Sequence, residues 1–237
     1  MKKRLVCEKL TKRFGKRTVV DEVDLFFEEG EVVGLLGPNG AGKTTIFNMV
    51  LGVVVPTSGR ILFEGVDITK LPVHIRARLG ITYLQQETSI FAGLSVKKNL
   101  ELVLRFHVRD KTVREAKMRE LLREFHLEEL AEQPAAFLSG GEKRKLELAR
   151  LMCLNPSFVL LDEPFSGIDP KTVKEIQKMV LELKDRGFGL VVTDHNVDEL
   201  VEIADRIYVI HKGKVLAEGT PFDILKNEKV KEVYLGS

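Results

Sequence analysis

VVGLLGPNGAGKTTIFNMVLG, residues 32–52, joins three kinds of chain. The apolar run 32–37 reads as a buried strand, and KTTIFNMVLG (43–52) reads as a helix. Between them GPNGAGKT (37–44) satisfies G-x-x-x-x-G-K-[ST]. From average residue usage, a chance match in a chain of this size is on the order of one per cent. A strand before and a helix after are the context in which this pattern cradles phosphate. Gly37, Pro38, Asn39, Gly40, Ala41, Gly42, Lys43, Thr44 and Thr45 are therefore the predicted nucleotide-binding set. Its amides wrap the β-phosphate, Lys43 reaches the β- and γ-phosphates, and the Thr44 hydroxyl coordinates Mg²⁺.

Two further segments repeat the design of an apolar strand ending in polar chemistry: FVLLDE (158–163) and GLVVTDH (189–195). Three such strands predict an α/β fold with a largely parallel core sheet and a ligand site at the strand carboxyl ends. LVCEKL (5–10) and VVDEVDLFF (19–27) alternate as antiparallel strands do, which predicts an antiparallel β subdomain. From about 95 to 153 the strand signal almost vanishes. There VREAKMRELLREFHLEEL (113–130) sets Val113, Leu121, Leu122, Phe125 and Leu130 at helical spacing, as a core stripe. The expectation is one domain over 1–237 with a helical subdomain inserted at about 87–155. GTPFDILKN (219–227) and EKVKEVYLG (228–236) read as short terminal helices.

Composition narrows the function classes. Apolar content of 44% and charged content of 30% are those of a globular protein. A net charge of +2 gives no reason to expect nucleic acid. The longest apolar stretch, IFNMVLGVVV (46–55), is broken by Asn48 and Gly52, well short of the ~20 residues of a membrane-spanning helix. No signal peptide is read at the N-terminus, and Cys7 and Cys153 lack metal-ligand spacing. A reducing cytoplasmic location is expected.

The strand ends supply the candidate catalytic groups. Asp162 is placed to hold Mg²⁺ through water, and Glu163 to polarise a water for in-line attack on the γ-phosphate. His195 ends its strand level with Asp162 and either bridges the γ-phosphate to a facing loop or caps the strand. Gln86 follows ITYLQ (81–85), where an amide can meet Mg²⁺ or the attacking water; Gln85 competes, since one residue of register decides which faces the site. Phe14 either stacks on a nucleobase or packs in the core. His74, His107, His126 and His211 lack comparable context and are expected at the surface. In FLSGGEKRKLELAR (137–150), Ser139 and Glu142 form a capping box, which does not require Gly140 and Gly141. Glycines at a helix N-terminus let amides approach an anion, yet the chain already has a phosphate loop.

In this order the pieces resemble an ABC-type ATPase subunit: the phosphate loop, Gln86, LSGGE (138–142), FVLLDEP (158–164), SGID (166–169) and TDH (193–195). The resemblance implies that Phe14 stacks on adenine and that Gln86 is the family's glutamine. It implies ATP with Mg²⁺, held by Thr44, Asp162 and Gln86, and a head-to-tail homodimer. In that dimer Ser139, Gly140, Gly141 and Glu142 meet the partner subunit's ATP, and Asp169 lies on the dimer seam. LPVHIRARLGITYLQQETSIF (71–91) and TDHNVDEL (193–200) are similar to lipopolysaccharide-export ATPases, with branched-chain amino-acid transporter ATPases as the alternative. Ala92 and Gly93 replace a more basic pair expected there, and the sequence ends at YLGS where a longer tail is expected. Membrane permease subunits would then supply the pore, with the chain peripheral on the inner face of the cytoplasmic membrane and Phe91 as the docking anchor. A mechanical ATPase acting on nucleic acid or ribosomes, or a small-molecule kinase, is the competing class; the first usually carries tandem cassettes and the second has no use for LSGGE.

Overall fold

The computed structural model describes residues 2–235. Strands β1 (Arg4–Phe14), β2 (Arg17–Glu28) and β3 (Val32–Leu36) lead into helix α1 (Lys43–Leu51). Next come β4 (Ser58–Phe63), β5 (Val66–Asp67), α2 (Val73–Arg78) and β6 (Ile81–Leu84). Helices α3 (Val96–His107), α4 (Lys111–Glu124) and α5 (Gly140–Met152) follow without an intervening strand. The chain then runs through β7 (Phe158–Asp162), α6 (Pro170–Asp185), β8 (Gly189–Asp194) and α7 (Val197–Val201). It closes with β9 (Arg206–His211), β10 (Lys214–Gly219), α8 (Pro221–Lys226) and α9 (Glu228–Leu235).

One sheet has the order β10-β9-β3-β8-β7-β6 and is parallel except for the hairpin strand β10. The other, β2-β1-β4-β5, is antiparallel throughout. Every residue of β3, β7 and β8 is buried, as expected for parallel strands covered on both faces. Alternation along β3 divides the core. Val33 and Leu35 join α1 and the antiparallel sheet, whereas Val32 and Leu36 join α5, α6 and the helical layer.

Arg76 fixes α1 at its far end. It is 1% exposed and donates to the carbonyls of Met49 (2.8 Å), Val50 (2.6 Å), Leu71 (2.9 Å) and Thr69 (2.7 Å). A cation at a helix C-terminus satisfies orphan carbonyls and opposes the negative end of the dipole. A second arginine joins the two sheets: Arg206 on β9 bonds Glu31, Glu218 and the Phe26 carbonyl of β2.

The helical stripe differs from the sequence expectation. Leu121, Leu122 and Phe125 are buried and Met118 joins them, but Val113 is 55% exposed. Nine residues separate it from Leu122, which places it about 180° around the helix. Leu130 lies beyond the end of α4 and is only half-buried. His74, His107 and His126 are exposed, whereas His211 is half-buried at the end of β9, where its Nδ1 finds no partner. In the terminal segment expected to be helical, α8 and α9 form; Gly236 lies outside the described residues.

Candidate active site

Central strand β3 delivers its chain directly into the phosphate loop. Gly42 N-caps α1 with φ 112°, a left-handed geometry that suits glycine, and offers no side-chain oxygen to the helix amides. Gly37 passes so close to β9 that a Cβ there would stand 2.4 Å from the Ile210 carbonyl oxygen. The loop is braced by Ala41 N–H donating to Pro38 O (3.1 Å) and Gly213 N–H donating to Ala41 O (3.0 Å). Among the described residues, the amides of Asn39, Gly40, Gly42, Lys43, Thr44 and Thr45 donate to no protein acceptor. They form a concave donor array at a helix N-terminus.

Lys43 is buried and folds back onto the carbonyls of Gly37 and Pro38. Burial lowers its pKa, while Glu163, Asp162 and Asp194 act in the opposite sense. The Thr44 side chain is exposed at the loop mouth, with Pro38 and Thr45 half-buried around it.

The ends of β7 and β8 bring the carboxylates together. Asp162, 5% exposed, accepts from Thr193 Oγ1 (2.6 Å) on one oxygen and from Tyr83 OH (2.9 Å) on the other. Burial and the adjacent carboxylate push the Tyr83 phenol pKa well up, so it stays a donor. Glu163 follows in a left-handed conformation (φ 43°), its amide on Thr193 O (3.0 Å) and Thr193 Oγ1 (3.2 Å). Its Oε2 lies 3.0 Å from Gln86 Nε2, which donates to it, and 3.6 Å from His195 Nδ1. Thus Gln86, not Gln85, turns its amide into the site. Asp194 Oδ1 holds the turn that carries His195, accepting from the amides of His195 (2.7 Å) and Asn196 (2.9 Å). Burial pushes the Asp194 carboxyl pKa up.

No group of three His, Cys, Asp or Glu side chains converges as a metal cage among the described residues. One hydroxyl and one buried carboxylate instead fit a hard cation that keeps phosphate and water ligands, as Mg²⁺ does.

Outside this cluster, Phe14 is 52% exposed at the end of β1 and not packed in the core, with Lys12 Nζ 5.1 Å from its ring centroid. Ser139 caps α5: it accepts from Glu142 N–H (3.3 Å), and its own amide (2.7 Å) and hydroxyl (2.8 Å) donate to Glu142 Oε2. The two glycines behind it differ. A Cβ on Gly140 meets nothing within 4 Å, but one on Gly141 would sit 2.3 Å from Thr172 Cγ2 of α6. Asp169 caps α6 by accepting from Thr172 N (3.1 Å) and Thr172 Oγ1 (2.6 Å), which lowers its pKa.

Arg144, not anticipated from the sequence, binds these parts together. It is buried on α5 and donates to the carbonyls of Gln85, Asp162, Glu163 and Pro164. Beside it Glu147 accepts from Arg144 (3.1 Å) and from Ser89 N–H (2.6 Å). One turn on, Arg150 stacks 4.7 Å from the Phe91 ring centroid, and Phe91 itself is 44% exposed.

The chain is similar to known proteins. A family model for ABC transporters matches residues 20–166, and one for branched-chain amino acid ATP-binding cassette transporters matches residues 214–237. The lipopolysaccharide export system ATP-binding protein LptB of Escherichia coli K12 is 48% identical over 98% of this chain and 97% of its own. A crystal structure of an ABC transporter's ATP-binding cassette in its ADP conformation superposes with TM-score 0.88 at 28% identity, covering 100% of both chains. A cassette solved as a dimer in a post-hydrolysis state, bound to ADP and Pi, gives TM-score 0.80 at 26% identity over 92% of this chain and 98% of that one. The chain belongs to the ABC transporter family, as one of its ATP-hydrolysing nucleotide-binding subunits. Among the described residues no helix is long and apolar enough to cross a membrane.

Proposed function

We propose that the chain powers export of lipopolysaccharide or a related lipid, working as a head-to-tail pair beneath membrane permease subunits. The observation that carries this reading is the 48% identity to LptB along nearly the whole of both chains. The branched-chain match is confined to residues 214–237, so amino-acid import is the weaker reading.

In the proposed cycle the free loop amides and Lys43 bind the ATP phosphates, and the Phe14 ring stacks on adenine. Thr44 and, through water, Asp162, together with Gln86, would hold Mg²⁺, which would neutralise phosphate charge there. Glu163 takes a proton from water as its oxygen bonds the γ-phosphorus and the bond to the β-phosphate bridging oxygen breaks. His195 and Gln86 hold the γ-phosphate and the water in place. The partner subunit completes each site with the N-terminus of its own α5, where Gly140 leaves open space. Asp169, exposed at the start of α6, stands at the seam. Loss of the γ-phosphate removes the charge that holds the halves together.

A permease segment is proposed to dock at Phe91, and docking there would put the chain on the cytoplasmic face of the membrane. Purification of the tagged chain from native membranes in mild detergent tests the reading. Recovery of integral permeases with lipid-stimulated ATP hydrolysis is expected. Recovery of amino-acid permeases instead would overturn lipid export and leave the ATPase standing.

A further inference from the structure

Thr193 is fully buried and stands two residues before His195 on β8. Its hydroxyl has one proton and two lone pairs. The proton goes to Asp162 Oδ1 at 2.6 Å, since an ionised carboxylate can only accept. A lone pair then faces the Glu163 amide at 3.2 Å, and the Thr193 carbonyl takes the same amide at 3.0 Å. One residue therefore touches both the cation-side carboxylate and the backbone of the proton acceptor. Glu163 needs such a clamp, because its φ of 43° is a conformation that residues other than glycine adopt at a cost. The carbonyl bond belongs to any residue at position 193, but the hydroxyl bonds do not. Valine would fill the space and leave Asp162 Oδ1 without its donor.

We infer that Thr193 is a positioning residue for hydrolysis, whose hydroxyl sets the Asp162 carboxylate and the Glu163 backbone in register. The inference rests on the proposed roles of Glu163 and Asp162. It predicts a split between binding and turnover. Thr193→Val should lower kcat about 10–100-fold, the loss expected for a hydrogen bond to a charged group. Binding of a fluorescent ATP analogue in excess chelator should stay within about twofold, because the loop amides and Lys43 are untouched. The Mg²⁺ concentration that half-saturates the cation-dependent increment of that binding should rise. Thr193→Ser, which restores the hydroxyl, should return kcat to within about threefold of the parent.

Wild-type turnover by Thr193→Val would overturn the inference, as would a Ser variant as impaired as Val. If Val does not fold, judged by circular dichroism, Thr193→Ala carries the same expectations. Glu163→Gln, measured alongside, separates the two readings. A fully active Glu163→Gln would remove the proton-acceptor role itself, whereas an inactive one beside an active Thr193→Val would sink the Thr193 clamp alone. Thr193→Val placed on Glu163→Gln should add little further loss, because residues acting as a unit are not additive.

Discussion

Two helices in this molecule begin on glycine-rich turns, and they begin differently. At α1 no side chain caps the helix, and a run of amides from Asn39 to Thr45 is left without protein acceptors, apart from the braced amide of Ala41. At α5 Ser139 and Glu142 close a capping box, so that only the amides of Gly140 and Gly141 are left over. The first N-terminus presents a nearly complete set of phosphate donors. The second is already stable and offers a smaller donor set, with Gly140 exposed and Gly141 buried behind it. An end that needs no ligand to fold, yet keeps a free amide on an exposed glycine, is suited to a phosphate that arrives on another chain.

The widest gap between these ends should appear in hydrolysis. Glu163→Gln should cut turnover by about 10²–10⁴-fold while ATP still binds, so that an ATP-held pair accumulates and is seen by light scattering. A variant that neither slows nor dimerises would undo the pairing of the two ends. Ser139→Arg should lower hydrolysis by about 10²–10³-fold, the scale for losing preorganised donors to a transferring phosphate. Nucleotide titration of the monomer should be unchanged; a loss of monomer binding would mean that α5 serves its own chain. Lys43→Ala should weaken ATP binding about 10–100-fold, so equal affinity by fluorescence titration would count against the α1 site.

The two glycines of α5 supply the finest contrast. Gly141→Ala should cost about 1–3 kcal/mol of stability by overpacking against Thr172, read from denaturant unfolding. Gly140→Ala should gain up to about 1 kcal/mol from helix propensity and still lower ATPase activity, because its Cβ would stand where the partner's phosphate must approach. If both variants behaved alike, the division of labour between the glycines would be wrong.

Sequence reading reached the parts whose chemistry is local. The phosphate loop, the carboxylates at the end of β7 and the capping box are each contained in a few consecutive residues, so spacing alone exposed them. It read Gly140 and Gly141 as one anion-seeking pair, whereas the space around them differs, with Gly141 kept small by Thr172 of α6. Tyr83, Thr193 and Arg144 escaped because their partners lie far away in the chain; Tyr83 and Asp162 meet across β6 and β7. A lone buried threonine in an apolar strand carries no pattern of its own. Register left Gln85 and Gln86 open, the resemblance favoured Gln86, and it is the Gln86 amide that bonds Glu163. Val113 was misplaced because a helical stripe drawn from spacing has no fixed phase until a neighbouring helix supplies one, and Met118 marks that phase.

The arginine behind α1 carries a mechanical consequence. Arg76 clamps the tail of α1 from α2, and β6 begins five residues after it with Gln86 just past its end. The phosphate loop forms the opposite end of the same rod. Any thrust along α1 is therefore received by a guanidinium anchored in the next element, not dissipated in a loose loop. The glutamine facing the site is thus tied back to the phosphate loop in two ways: across the pocket through its bond to Glu163, and around the back through α2 and the helix whose tail Arg76 holds.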